Sequence, residues 1–175
     1  MSAENKSRKI SLGILQAAIL VAADQLTKHL ARQKLLLSGR GSIELIPGVL
    51  SLHYLENRGA AFGMLQNRAP VFAIFAVLVI LAACFFYGKI PSGRRFLPMR
   101  IAVIGLMGGA AGNLIDRIFR GYVIDFIYFS LIDFPVFNVA DICVSLSVVL
   151  LLVLILFFYR ERDFEWLSFP KKNKD

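Results

Sequence analysis

Residues 137–159 read FNVADICVSLSVVLLLVLILFFY: one acid, Asp141, then eighteen residues without a charge. A helix that crosses the hydrocarbon layer needs about 20 apolar residues, so Val139 to Tyr159 has the length of one crossing. Two further runs qualify, Ala69 to Tyr87 and Met99 to about Phe119. A fourth, Ile10 to about Leu30, is apolar as far as Ala23 and then turns polar at Asp24, Gln25, Thr27 and Lys28. Lys6, Arg8 and Lys9 before it give it the look of a secretory signal. No small-x-small cleavage site leads into a soluble domain, however, and three more spans follow, so a retained first helix is expected.

The composition agrees with a lipid solvent. Of 175 residues 57% are hydrophobic and 18% charged, a balance that leaves a water-soluble core too little polar cover. The length suits a single domain, residues 1–175, with an all-α membrane fold of four helices (10–30, 69–87, 99–119 and 139–159) and a short charged tail, 160–175. The net charge is +8. Its basic residues flank the apolar runs instead of forming a stripe with interleaved aromatics, so nucleic acid is not an expected partner. Cys84 and Cys143 have no CxxC or Cys/His spacing, and His29 and His53 have no ligand set, so neither a metal nor a redox motif is expected. The cysteines lie at depths that differ by roughly 15 Å, too far for a disulfide.

Four alternating helices put the first nine residues, the segment Gly88–Arg100 and the tail on one side. These carry 3, 4 and 5 Lys/Arg, 12 of the 20. The positive-inside rule makes that side cytoplasmic, with both termini there. The outer segments are then about Ala31 to Arg68 and Arg120 to Phe137. The first contains Ser42–Leu55, a β-prone stretch broken by Pro47-Gly48 that reads as a hairpin on the membrane surface. The second is aromatic-rich, contains Pro135, and is expected to be partly extended at the interface.

Ionisable groups inside spans are costly and are functional candidates by default. Asp24 and Lys28 fall near the outer end of helix 1, and Asn113, Asp116 and Arg117 near the outer end of helix 3. Asn138 and Asp141 open helix 4, while Asn57 and Asp125 belong to the outer segments. All gather at one depth. Asp24 and Lys28, spaced i, i+4, share a face and can pair. Asp116 has Arg117 as its basic neighbour. Such acids are committed to an ion pair and suit a structural role. Asp125 and Asp141 have no Lys or Arg within four residues, so two carboxylates meeting there would share a proton. One could then activate water while the other polarises a carbonyl. Spacing makes this aspartic pairing available without singling it out. A proton-coupled transporter is the alternative reading of buried acids, although the inner halves of helices 2 and 4 offer no acid to continue a path. HExxH and GxSxG are absent. Gly105 to Gly112 lies inside a span and reads as a surface for close helix contact.

Five segments then resemble a known family. They are Asp24-Gln25-Leu26-Thr27-Lys28, Asn57-Arg58-Gly59-Ala60-Ala61-Phe62, Gly112-Asn113-Leu114-Ile115-Asp116-Arg117, Val123-Ile124-Asp125-Phe126 and Phe137-Asn138-Val139-Ala140-Asp141. Together, and in this order, they resemble lipoprotein signal peptidase, the bacterial type II signal peptidase. The resemblance implies cleavage of prolipoproteins on the amino side of a diacylglyceryl-modified cysteine, with Asp125 and Asp141 as the catalytic pair. It implies that Asn57, Gly59, Asn113, Arg117 and Asn138 position substrate or support the pair, and that Asp24, Lys28 and Asp116 support the architecture. It further implies a small β-cradle on the extracytoplasmic face and residence in the bacterial cytoplasmic membrane. Lipidated prolipoprotein and membrane lipid would be the partners and globomycin-type peptides the inhibitors. Neither metal nor organic cofactor is implied, and one complete site in four helices would suffice as a monomer.

Overall fold

The computed structural model describes residues 3–59 and 69–167. Residues 60–62 of the second motif, and the tail beyond 167, lie outside them. Four helices carry the apolar runs: α1 (Ala3–Ala31), α2 (Ala69–Lys89), α3 (Leu97–Arg120) and α4 (Val139–Val153). A π-helical turn, Arg32–Leu37, extends α1, and another, Leu154–Phe158, extends α4. All four are long and apolar enough to cross a bilayer. Their outward faces carry large apolar side chains such as Ile14, Phe75, Leu146 and Phe157, which water would not tolerate in such numbers. The protein is a multi-pass membrane protein.

Helix α3 is the central one. In its most apolar stretch 56% of the residues are buried, against 11–17% in the other three spans. Its glycines explain why its neighbours can approach. A Cβ on Gly109 would lie 2.5 Å from the carbonyl oxygen of Ala140 in α4, and one on Gly112 would lie 2.6 Å from Asp24 Oδ2. The α3 backbone therefore packs directly on the α4 backbone at Gly109 and on the Asp24 side chain of α1 at Gly112, the close contact expected of small residues in membrane helices. At the other end Tyr87, Ile90, Met99 and Tyr159 form an apolar cluster against which Phe164 and Trp166 pack. The segment after α4 is thus more than a charged tail: Glu161–Leu167 forms a 3-10 helix. Arg95 clamps it with two bonds to Asp163, of 2.8 and 2.7 Å, and this guanidinium holds the Asp163 carboxyl down at about 2.

The surface segments form one antiparallel sheet in the order β1 (Ser42–Ile46), β2 (Leu50–Asn57), β3 (Val123–Tyr128). The predicted hairpin is β1–β2. Its turn, Ile46-Pro47-Gly48-Val49, has Gly48 at φ 70° and closes with Val49 N–H donating to Ile46 O at 3.0 Å, the chemistry of a type II turn. The third strand comes from the second outer segment. Helix α3 stops at Gly121, whose left-handed φ of 77° reverses the chain into β3. Pairing of Leu55 with Asp125 and of Asn57 with Val123 then joins the two outer segments, and the Asn57 side chain bonds Asp125, 68 residues on. Ile124 and Phe126 seat the sheet on Ala31 and Leu35 at the end of α1.

Candidate active site

The site grows from Lys28, whose side chain is fully buried. A lone ammonium there would be prohibitive, and each of its three N–H donors has a partner. Nζ lies 2.8 Å from Asp24 Oδ2, 2.9 Å from Asp116 Oδ2 and 2.9 Å from Asn113 Oδ1. The two carboxylates reach onward. Asp24 Oδ1 accepts from Ala140 N–H at 2.9 Å, holding the first turn of α4, and Asp116 Oδ2 accepts from Ile124 N–H at 3.2 Å, holding β3. One cation thereby ties α1 to α3 directly and to β3 and α4 through its acids.

Asp125 and Asp141 are bound differently, by amides alone. Asn57 Nδ2 donates to Asp125 Oδ2 at 2.8 Å and Asn138 Nδ2 to Asp125 Oδ1 at 2.6 Å. Asn113 Nδ2 donates to Asp141 Oδ1 at 2.7 Å and Asn138 N–H to Asp141 Oδ2 at 3.1 Å. Each amide is held the right way round by what touches its oxygen. Lys28 engages Asn113 Oδ1, Gly59 N–H donates to Asn57 Oδ1 at 3.0 Å, and Asp141 N–H donates to Asn138 Oδ1 at 2.9 Å. The last pair is a capping box, so the start of helix α4 and the setting of Asp141 are one event. Three bonds between Phe137 and the Phe126–Ile127 backbone bring that start beside β3.

Among the described residues neither carboxylate forms an ion pair. Both line a cleft of about 500 Å³, with Asn57, Gly59 and Arg117. Phe134 to Phe137, Ile142 and Leu146 give it apolar walls. Burial, and next the negative charge of Asp141, push the Asp125 carboxyl up to about 7. Asp125 is 1% exposed, whereas Asp141 is only partly buried. Arg117 packs its guanidinium over the Phe72 ring, 5.4 Å from the centroid, and donates to the Asn113 carbonyl at 3.3 Å. Among the described residues no group of His, Cys, Asp or Glu is arranged to hold a metal ion.

The chain and its fold have known counterparts. The family model described as signal peptidase (SPase) II matches residues 16–157. The chain belongs to the signal peptidase II family. Its relatives include the lipoprotein signal peptidase of Symbiobacterium thermophilum, 46% identical over 142 residues, with 80% of this chain and 91% of that protein covered. That of Streptococcus thermophilus is 40% identical over 148 residues, covering 85% and 94%. A bacterial membrane enzyme solved by the in meso method at 2.3 Å matches with a TM-score of 0.73 and 34% identity, over 83% of this chain and 88% of its own. Signal peptidase II is a protease, and nothing in the comparisons or the structure favours the transporter alternative. Among the described residues the buried carboxylates Asp24, Asp116 and Asp125 all belong to the one network.

The chain of this signal peptidase II family member departs from the sequence reading in one pairing. Asp116 does not pair with Arg117; its partners are Lys28 and Arg120. Successive helical residues point about 100° apart, so Arg117 turns to the cleft while Arg120, one turn on, returns to the acid. The Asp24–Lys28 pair forms as expected, and the cysteines are free thiols. Sequence reasoning assigned nothing to Gln25, which donates to Gly112 O at 3.1 Å and Asp116 Oδ1 at 3.2 Å, nor to the cleft walls. The Asn-x-x-Asp spacing of Asn138 and Asp141 is a helix-start signature that could have revealed the capping box.

Proposed function

We propose that Asp125 and Asp141 are the catalytic dyad of an aspartic endopeptidase that removes signal peptides from prolipoproteins, cutting on the amino side of a diacylglyceryl-modified cysteine. One observation carries the reading: two carboxylates without a basic partner, held only by amides, face one cleft at the end of the helices. Burial and the charge of Asp141 raise the Asp125 carboxyl, which suits it to carry the proton the pair shares. Its hydroxyl hydrogen-bonds the scissile carbonyl, and Asp141, as carboxylate, takes a proton from water as the water oxygen bonds to the carbonyl carbon. The carbonyl oxygen receives the Asp125 proton, giving a tetrahedral diol. Its collapse breaks the C–N bond, the nitrogen leaving with the proton from Asp141 and a diol hydroxyl returning one to Asp125. Arg117 and Gly59, on the cleft rim, position the substrate backbone.

The cleft walls suit a substrate anchored in lipid. A diacylglyceryl chain stays in the bilayer beside Ile142 and Leu146 while the peptide crosses between Asp125 and Asp141. The excess of Lys/Arg at the opposite end supports both termini being cytoplasmic, the dyad being extracytoplasmic and the membrane being the bacterial cytoplasmic one. The network closes within one chain, which supports a monomer, and globomycin-type peptides would compete for the same cleft. The test is signal-peptide release from a diacylglyceryl-modified prolipoprotein in detergent. Folded Asp125→Asn or Asp141→Asn protein cleaving at the wild-type rate would sink the dyad, and equal release from an unlipidated precursor would overturn the substrate.

A further inference from the structure

Two adjoining cavities, which share Gln16, line up as a groove that begins at the end of the helices remote from Asp125 and Asp141 and reaches Leu146, a wall residue of the catalytic cleft. The first, of about 390 Å³, is lined by Arg8, Lys9 and Arg100 together with Tyr87. The second, of about 430 Å³, is apolar and lies between α1, α3 and α4. Gln16 lines both. On α1 the lining residues Arg8, Leu12, Gln16 and Ile19 recur every three or four positions, one face of a helix; on α3, Leu97, Ile101 and Ile104 do the same. From Arg8 to Leu20 the helix rises about 18 Å, close to the depth of one leaflet of a bilayer.

Among the described residues the cations at the head of this groove have no acid partner. Lys9 Nζ donates to Gly88 O at 3.2 Å and Ile90 O at 2.8 Å, and Arg100 donates to Pro91 O at 3.0 Å. Among the described residues no carboxylate pairs with Arg8, Lys9 or Arg100. Glu4, one turn before Arg8, does not line the cavity.

We propose that this groove binds one anionic phospholipid of the leaflet opposite the dyad, its phosphate against Arg8, Lys9 and Arg100 and one acyl chain along α1 and α3. Basic pockets between membrane helices at an interface take anionic headgroups. The apolar continuation, open to the bilayer at Ile19 and Leu146, offers about 430 Å³ of apolar-walled space to a hydrocarbon chain. A signal segment is a poorer occupant, because its positively charged leading region would meet three cations.

The test uses the full-length protein in a neutral detergent, with lipid retention counted by native mass spectrometry. Phosphatidylglycerol should be retained at one per chain in preference to phosphatidylcholine. Arg8→Gln should weaken retention about fivefold, and Arg8→Gln with Arg100→Gln by roughly 25-fold, from about 1 kcal/mol for each cation at the surface. Ile19→Trp, which fills the apolar half, should lower phosphatidylglycerol retention and leave the binding of inorganic phosphate unchanged. Arg8 makes no hydrogen bond or ion pair among the described residues, so its variant separates ligand loss from misfolding, which a size-exclusion profile also monitors. Equal retention of the two lipids, or unchanged retention in the double variant, overturns the site. So does release of the lipid by inorganic phosphate at matched concentration, which would leave an anion site alone. Displacement of phosphatidylglycerol by a synthetic signal segment, abolished by Ile19→Trp, would assign the groove to the peptide and also overturn the proposal.

Discussion

Replacing Asp125 by asparagine should abolish cleavage and, at alkaline pH, make the protein more stable. Burial and Asp141 raise this carboxyl from 3.8 to about 7. Between those values the folded protein holds a proton that the unfolded chain has released, so stability falls as pH rises through the window. The full penalty, about 3 pKa steps or roughly 4 kcal/mol, is reached above pH 7. Asparagine never ionises and escapes it. It offers one acceptor oxygen where Asp125 offers two, so either Asn57 or Asn138 meets an NH₂ group, at about 1–3 kcal/mol. The balance is a net gain of roughly 1–3 kcal/mol at pH 8.5 and a net loss of similar size at pH 3, where Asp125 is neutral in the folded and the unfolded wild-type chain alike. For a chain of this length each kcal/mol moves Tm by about 2–4 °C. Thermal unfolding in detergent at the two pH values, with signal-peptide release measured on the same preparations, reads both effects. An Asp125→Asn protein less stable than wild type at both pH values would refute the reasoning, because Asp125 would then be a comfortable structural anion.

Other perturbations separate the parts of the network. Lys28→Met leaves Asp24 and Asp116 buried with only Arg120 to offset them, and should cost about 3–5 kcal/mol; adding Asp116→Asn should restore part of it, measurable as a double-mutant cycle in Tm. Asn138→Ala removes the helix cap, about 1 kcal/mol, and with it a donor to Asp125, so activity should fall much further than Tm does. Gly109→Ala drives a methyl group into the Ala140 carbonyl and should destabilise by about 1–3 kcal/mol with loss of activity, whereas Gly88→Ala, with open space around it, should be neutral in both. The pH dependence of kcat/KM should be bell-shaped and set by the two carboxyls jointly; Asp141→Asn should abolish activity at every pH without restoring it at either limb.

The spans were readable because the bilayer demands a length, and sequence shows length directly. Helical rise then placed Asp24, Asn113, Asp116 and Asp141 at one depth, since 1.5 Å per residue leaves little freedom. Azimuth was harder. Asp116 and Arg117 look paired in sequence, yet the helix sends one toward Lys28 and the other to the cleft. Nor could sequence show that β3 would join β2, because strand pairing between the two outer segments is decided by where α2 and α3 bring the chain back. The orientation of Asn57, Asn113 and Asn138 was equally hidden. Each amide takes its direction from a group in another segment or on the backbone, so the information resides in the assembled fold.

The bond from Ala140 to Asp24 spans 116 residues, and it has a bearing on biogenesis. A membrane chain is inserted helix by helix, and a protease that became active midway would threaten its own unfinished copies. Here the early segments supply Asp24 and Lys28, the middle one Asn113, and the last helix brings Asn138 and Asp141. Until that helix docks, Asp125 has no neighbouring carboxylate and lacks the Asn138 donor. On the proposed dyad, the order of synthesis therefore withholds activity until the last helix is in place.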